Sequence, residues 1–498
     1  MSDTAVKTVI ILGRDAALWL TASALQRALG PAGISVEAVE LPSLVQAQDL
    51  YASLPALEAF HRLLGIDEHD LLKAARGSFT LGQQFHNFGG PAAPFFHAYG
   101  SHGVSINHVP FLQYLTKARG LGLNVAFEDF SLTAAAAKQG RFIVPDEATR
   151  DFARTDYGYH LPAQAYVAAL KRHAVDGGVQ VHAARAASVS LDPHTGDITA
   201  LDLGGRRVAG DLFIDATGPE AQLLRGALKV GFESWRAQFP GDRILTAAAD
   251  RLKTLPPHSQ ARAIENGWLG LYAAQDATRL SLVYDSRELD DAQALETAVL
   301  VGGLRLGDAL VSPLAPGRSA VAWAKNCVAI GEAACVLDPI DNVGLQAIQQ
   351  GIVHLLALFP LDRRTQPERR EYNRLVQAGF EALRDFQLVH SVCNSHRNSR
   401  FWERARNVPV PDGLRMKMDA WLSSGHVPLS DNDAFVEDSW NAVFLGHGLK
   451  PQTYEALADV TDDQGLATQF KRMLGFIREQ VERTHGHDAY LEIFCSDI

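Results

Sequence analysis

The chain has 498 residues, of which 47% are hydrophobic and 21% are charged, which is typical of a folded globular protein and excludes extensive disorder. At roughly 150 residues per domain it has room for two or three domains, or for one large α/β unit with insertions. The 46 basic and 57 acidic residues give a formal net charge of −11, which provides no general attraction for nucleic acid or for an anionic membrane. We therefore expect neither of these partners.

The N-terminal segment predicts a βαβ unit. Residues 8–12 form a β-branched run, apolar residues then recur at helical spacing up to Leu29, and residues 35–39 predict a second strand that ends at Glu40. Further strands are predicted within residues 179–218 and at 327–330, and the last of these leads to a helix over 346–358. These separated segments predict one nucleotide-binding domain that is interrupted by insertions.

Cysteine usage and apolar runs indicate the compartment. The four cysteines form no CxxC pair and are too few for a disulfide framework, so we expect reduced thiols. Residues 9–12 are too short for a signal-peptide core, and no stretch approaches the roughly 20 apolar residues of a membrane span. We expect a soluble cytoplasmic protein. The HxH at His485 and His487 is interpreted as an exposed loop, so no metal site is predicted.

Six further motifs, in their order and spacing, resemble the flavin-dependent tryptophan halogenases, a branch of the FAD monooxygenase-like fold. They are Tyr157-Gly-Tyr-His160, residues 211–218, residues 323–331, Asp338-Pro-Ile-Asp341, Arg384-Asp-Phe386 and Leu445-Gly-His-Gly448. The resemblance covers nearly the whole chain. It implies an α/β fold with an FAD/NAD(P)-binding, Rossmann-like three-layer domain, an inserted β-rich substrate subdomain and a C-terminal helical region.

The resemblance and the predicted elements together suggest a division of the chain by role. The expected parts are a discontinuous FAD-binding-type domain at 1–110, 160–230 and 311–360, a substrate-facing subdomain at 111–159 and 231–310, and a helical cap at 361–498.

The resemblance also implies a reaction and its partners. In such enzymes reduced FAD from a separate reductase reacts with oxygen, and the flavin hydroperoxide oxidises a halide. The hypohalous acid then passes to a lysine that presents it to an aromatic substrate, with a glutamate nearby. The expected partners are an aromatic small molecule, a separate flavin reductase if the chain is active, and a paralogous halogenase if it is not. A homodimer is a further expectation.

The dinucleotide fingerprint GxGxxG reads here Gly13-Arg-Asp-Ala16-Ala-Leu18, which keeps only the first glycine. The resemblance assigns Gly13 and Ala16 to cofactor binding. Asp15 falls where backbone N–H groups and the positive helix end meet a diphosphate, although its carboxylate could cap the helix instead. At about 4 Å and an effective dielectric of about 20, its repulsion of a phosphate charge approaches roughly 4 kcal/mol. Leu18 adds a side chain where the fingerprint has none, so we expect weakened FAD binding.

The remaining cofactor assignments follow the resemblance residue by residue. Glu40 is a candidate ribose acceptor or a solvent-exposed carboxylate, and Gly218 is a flavin contact or a strand-end turn. Asp338, Gly344 and Leu345 mark a helix start whose amides could face a flavin ring or a halide, or else a turn before a buried helix. The second flavin loop aligns with residues 48–52 and keeps only its final alanine.

The two catalytic positions are both altered. The lysine-bearing segment aligns with Phe79-Thr80-Leu81-Gly82, so Thr80 occupies the amine position. A hydroxyl can donate a hydrogen bond, but it cannot form a haloamine or supply positive charge. Asp341 occupies the glutamate position and reaches one methylene less.

For a substrate, His97 and Tyr99 match a family pair that stacks on an indole, and Trp440 is placed opposite, although aromatic residues are more often core. Two functions stay open. One is a divergent flavin enzyme that oxidises or halogenates an aromatic compound without the lysine route. The other is a non-catalytic relative that binds a ligand or assembles with an active paralogue, which the combined losses favour more than any single change does.

Overall fold

The computed structural model describes residues 5–89, 94–146, 153–360, 362, 367–397 and 399–496. Contacts divide the chain into two compact units. Unit 1 comprises Met1–Arg76, Leu161–Ala237 and Ala315–Glu381, and unit 2 comprises Gly77–His160, Gln238–Leu314 and Ala382–Ile498. Within the described ranges, no helix has the length and apolar character that crossing a membrane requires.

Unit 1 is built on a six-stranded sheet. Its strands in spatial order are β20 (Trp323–Ala324), β21 (Cys327–Ala329), β12 (Leu212–Ala216), β1 (Thr8–Gly13), β2 (Ser35–Glu40) and β8 (Gln180–Ala183). Neighbouring strands are parallel except β20 and β21. The runs at 8–12, 35–39 and 327–330 are therefore confirmed as strands. β1 and β21 are apolar runs buried within the parallel sheet, and β2 buries Val36, Ala38 and Val39 between half-buried polar residues.

Helices cover this sheet, and small sheets flank it. The helices are α1 (Asp15–Leu29), α2 (Ala56–Leu64), α3 (Glu68–Ala75), α6 (Ala163–Asp176), α8 (Gly344–Ala357) and the first part of α9 (Pro367–Val392). The other strands are β3 (Leu50–Ala52), β9 (Ser188–Leu191), β10 (Ile198–Asp202), β11 (Arg207–Ala209), β13 (Phe232–Ser234), β19 (Gly317–Ser319) and β22 (Cys335–Val336). Helix α1 packs against β2, α6 and α8, which explains its long buried face.

Unit 2 is built on a seven-stranded sheet. Its strands in spatial order are β18 (Leu306–Pro313), β14 (Arg243–Asp250), β17 (Ala277–Tyr284), β16 (Gly267–Ala273), β15 (Ser259–Ile264), β5 (Gly82–His86) and β6 (Phe95–Ala98). All neighbours are antiparallel except β15 and β5. Helix α7 (Asp291–Gly302) packs on this sheet, and β4 (Ser78–Thr80) pairs with β7 (Gly158–Pro162).

The C-terminal region is helical, as predicted. It contains α10 (Arg400–Arg406), α11 (Asp412–Ser424), α12 (Glu437–Gly446), α13 (Asp463–Arg483) and α14 (His487–Phe494), all in unit 2. Unit 2 also includes two helices from earlier in the chain, α4 (Phe111–Gly120) and α5 (Leu132–Lys138).

The expectation of an exposed loop at the HxH is wrong for its second histidine. His487 begins α14, is 1% exposed, and its Nδ1 lies 3.1 Å from the Leu255 carbonyl oxygen.

The two units divide the chain differently from the predicted three-part division. Residues 77–110 were assigned to the FAD-binding-type domain, but β5 and β6 pair within the sheet of unit 2. The predicted helical cap is also split, because α9 belongs to unit 1 as far as Glu381. The roles assigned to these segments stay predictions.

Candidate functional site

Gly13 ends β1 at the carboxyl edge of the sheet in unit 1. Its neighbours in register are Glu40 on β2 and Ala216 on β12. A Cβ atom on Gly13 would lie 2.6 Å from the carbonyl oxygen of Ala216, so close strand packing alone requires glycine here. Ala16 and Leu18 are completely buried in α1, so their side chains pack inside the unit.

Asp15, at the first crossover after β1, has its carboxylate bound by the loop that follows β2. The Ser43 hydroxyl donates to Oδ1 at 2.5 Å, and the Leu44 amide donates to Oδ2 at 3.0 Å. Asp15 has a φ of 57°, a left-handed conformation that is uncommon for a residue other than glycine. Helix α1 has no side-chain N-cap, so the alternative that Asp15 caps this helix is wrong. The carboxylate instead links the loop after β2 to the first residue of α1 through these two hydrogen bonds.

The surroundings of Asp15 are acidic. The side chain of Glu332 reaches the protein surface, but the surrounding chain limits the hydration of its carboxylate. This limited hydration and the negative charge of Asp15 raise the pKa of Glu332. Burial, Asp15 and Glu332 likewise raise the pKa of Tyr51. Gly218 shares this surface, since a Cβ atom there would lie 3.9 Å from Glu332 Oε2. Glu332 was not predicted from the sequence. It directly follows a buried strand and Gly331, and residues at the carboxyl end of a parallel strand commonly face a ligand site, so its position could have identified it.

Glu40 is held by a lysine. Both of its carboxylate oxygens accept from Lys171 Nζ, at 2.8 and 2.7 Å. Lys171 lies on α6 and also sits 5.5 Å from the centre of the Trp19 ring. Glu40 is thus part of an ion pair, and its carboxylate oxygens keep further lone pairs that can accept from a ribose hydroxyl.

Gly218 lies in a turn that the buried carboxylate of Asp215 stabilises. Asp215 accepts from the amide and hydroxyl of Thr217 and from the amides of Leu223 and Leu224. Burial raises the pKa of Asp215, against the effect of these hydrogen bonds. The turn needs a left-handed residue, and Gly218 supplies it with a φ of 84°. The strand-end turn predicted as one alternative for Gly218 is therefore present.

The start of α8 has a different character. Asp338 accepts from the Ile340 amide at 3.0 Å, and Asp341 follows with a φ of 65°. Leu345 is buried, but a Cβ atom on Gly344 would meet no atom within 4 Å, and α8 has no side-chain N-cap. The start of α8 therefore combines open space beside the Gly344 Cα atom with the positive end of the helix dipole.

These residues fit only part of a flavin cofactor. The open start of α8 fits a flavin ring or another electron-rich group. At the first crossover Asp15 opposes a diphosphate, because its carboxylate adds negative charge and already engages the Ser43 and Leu44 donors.

Thr80 lies in unit 2, whereas Asp341 lies in unit 1. Thr80 is completely buried on β4, and its hydroxyl donates to the Gly82 carbonyl oxygen at 3.0 Å. The hydroxyl is therefore already used within the chain. Asp341 is also buried, at 2% exposure.

His97, Tyr99 and Trp440 lie in one aromatic cluster of unit 2, and all three are buried. The His97 ring lies 5.9 Å from Tyr99 and 5.5 Å from Phe386, and Phe386 lies 4.9 Å from Trp440. The sequence analysis missed Phe435, which stacks on Phe386 with ring centres 3.7 Å apart. The cluster brings the predicted substrate residues together, but Phe435 packs among them.

Comparisons with known proteins agree with this architecture. The sequence model of the tryptophan halogenases matches residues 8–463. Tryptophan 7-halogenase KtzQ from Kutzneria sp. (strain 744) is 26% identical over 470 residues, covering 89% of this chain and 87% of the relative. BrvH, a flavin-dependent halogenase from Brevundimonas sp. BAL3, superimposes with a TM-score of 0.94 at 31% identity, over 99% of this chain and 100% of that one.

A second solved structure gives the same result. Xcc4156, a flavin-dependent halogenase from Xanthomonas campestris, has a TM-score of 0.94 at 31% identity and covers 99% of both chains. The chain belongs to the tryptophan halogenase family of flavin-dependent halogenases.

Proposed function

We propose that this chain is a non-catalytic member of the family that binds a planar aromatic compound and does not halogenate it by the FAD and lysine route. The observation that carries the proposal is the Asp15 carboxylate, which holds Ser43 and Leu44 at the place where the family fingerprint offers its amides to a diphosphate.

One further contact supports the proposal. The Thr80 hydroxyl, at the amine position of the family reaction, is donated to the Gly82 carbonyl oxygen, and a hydroxyl cannot form a haloamine. An incoming diphosphate would compete with Asp15 for the Ser43 and Leu44 donors and would approach the negative charge of Asp15.

The aromatic ligand is proposed from the cluster in unit 2. His97, Tyr99 and Trp440 remain aromatic or heteroaromatic, and planar rings with a few polar atoms are typical of small-molecule sites. A non-catalytic protein of this kind could present the ligand to an active paralogue, which would then supply the flavin chemistry.

A divergent FAD-dependent oxidoreductase or halogenase, supplied by a separate reductase, is the second candidate. The specific observation in its favour is the start of α8 at Gly344, where the space beside the chain is open and the positive end of the helix dipole suits a flavin ring or an anion. FAD would supply the oxidising chemistry when bound, and Asp341 is the nearest acidic residue before that helix.

Flavin titration separates the two candidates. The purified chain is titrated with oxidised FAD and, anaerobically, with reduced FAD, and binding is followed by flavin fluorescence and calorimetry. The proposal expects no retained flavin and no halide-dependent consumption of indole with a reductase present. A stable flavin complex that consumes indole only when chloride or bromide is added would refute it.

A further inference from the structure

The aromatic cluster of unit 2 contains a buried amide whose hydrogen-bonding capacity is unmet. Gln83 on β5 is 1% exposed, and within the described part of the chain neither its Nε2 nor its Oε1 has a hydrogen-bond partner. Removing both ends of an amide from water without replacement bonds is costly, and native proteins rarely do so without a reason.

The strand register places Gln83 beside the cluster. Gln83 is directly opposite His97 in the antiparallel pair of β5 and β6, so the two side chains lie on the same face of the sheet. The His97 ring in turn lies 5.5 Å from Phe386 and 5.8 Å from Phe435. The amide therefore borders the aromatic rings rather than the opposite face.

A second unmet group lies in the same cluster. Trp440 is completely buried on α12, and its indole N–H has no acceptor among the residues that the structure describes. Its ring contacts Phe386, the same residue that contacts His97. The Gln83 amide thus adjoins His97, and the Trp440 donor adjoins Phe386, which itself contacts His97.

We propose that Gln83 determines ligand specificity in this cluster, by accepting from an N–H or O–H group on a planar aromatic ligand. Trp440 donates to an acceptor atom of the same ligand. The ligand enters when Phe435 withdraws from Phe386, because Phe435 lies on residues 427–436, which are neither helix nor strand. The inference rests on the aromatic ligand of the proposed function and adds the residue that selects it.

The test uses two probes of similar shape, indole and benzothiophene, of which only indole carries an N–H group. Calorimetry on the full chain should give an indole dissociation constant at least tenfold below that of benzothiophene, the difference expected for one buried hydrogen bond. Gln83→Leu should reduce this preference to within about twofold. The same variant should raise the midpoint of thermal unfolding by about 1–3 °C, because it removes an unpaired buried amide.

Two variants separate recognition from packing. Gln84→Leu is the matched control, since Gln84 lies on the same strand but faces the other side and bonds His86 at 3.1 Å; it should leave the preference unchanged. Phe435→Leu should tighten both probes equally, because it changes space and not polarity.

The inference is overturned if the wild-type chain binds both probes equally, if it binds neither at millimolar concentration, or if Gln83→Leu raises stability without altering the preference. These outcomes are independent of flavin binding. A chain that retains FAD and halogenates indole while Gln83 controls the preference would refute the proposed function and leave this inference intact.

Discussion

The two candidate sites differ in how their polar groups are satisfied. In unit 1 the charged groups at two predicted cofactor positions have partners within the unit, as Asp15 has Ser43 and Glu40 has Lys171. In unit 2 the Gln83 amide and the Trp440 N–H have no partner among the described residues. A ligand at the first site meets charged groups that already have partners, whereas at the second it supplies missing bonds. Loss of one ligand and retention of another can therefore coexist in one fold.

Acid should act most strongly on unit 2, and this effect is the largest that we predict. Burial lowers the pKa values of His160, His258 and His487 to about 4, whereas an unfolded histidine titrates near 6.5. A lowered folded pKa means that stability is complete above pH 6.5 and falls as the pH drops towards 4. The loss at pH 4 is about 3 kcal/mol per histidine.

Urea unfolding between pH 7.5 and 4, with hydrogen exchange to locate the opening, measures this effect. His487→Gln should weaken the acid dependence, and the exposed His194→Gln should not. Equal stability at pH 7.5 and pH 4 would show that these rings are not held neutral.

The second prediction concerns the anchoring of the segment that carries Phe435. Lys417 on α11 pairs with Asp433 at 3.1 Å, and both side chains are less than 10% exposed. Lys417→Met leaves the Asp433 charge buried without its partner and should cost about 3–5 kcal/mol in the free energy of unfolding. Adding Asp433→Leu should recover much of that loss. A loss below about 1 kcal/mol in chemical denaturation would contradict a structural role for this pair.

The smallest predicted effect is at Thr80. Thr80→Val removes the hydroxyl that donates to Gly82 and should lower stability by about 1 kcal/mol. Binding of indole and FAD should not change, because the hydroxyl is directed to the backbone. A change of more than about threefold in the affinity for indole or for FAD would contradict this expectation, and it would indicate that the Thr80 hydroxyl contacts a ligand.

Local sequence patterns predicted the first crossover well. The apolar run of β1, the helical spacing of α1 and the second apolar run of β2 are each set by neighbours along the chain. The direction of the Asp15 carboxylate was not predictable, because it depends on Ser43 and Leu44 in a loop beyond β2. Side-chain partners that come from a different loop leave no periodic signal.

The same limit explains the errors and omissions in unit 2. His487 was expected in an exposed loop, but tertiary packing of α14 buries it. Gln83 looks like any polar residue in a short strand, and its distinguishing property is the absence of partners, which only the folded chain reveals. The family resemblance predicted His97 and Trp440 as substrate residues, whereas Phe435 has no counterpart in the motifs that carried the resemblance.

The FAD affinity of Asp15→Gly, compared with that of the wild-type chain, tests the central claim most directly. Glycine tolerates the φ of 57° at this position and removes the carboxylate. Asp202→Asn is the control, because Asp202 also accepts from loop amides, those of Gly204 and Gly205, but lies at no predicted cofactor position. We predict that Asp15→Gly binds FAD at least about tenfold more tightly than the wild-type chain, as relief of charge repulsion requires, and that Asp202→Asn does not. Micromolar FAD binding by the wild-type chain that Asp15→Gly leaves unchanged would contradict the account.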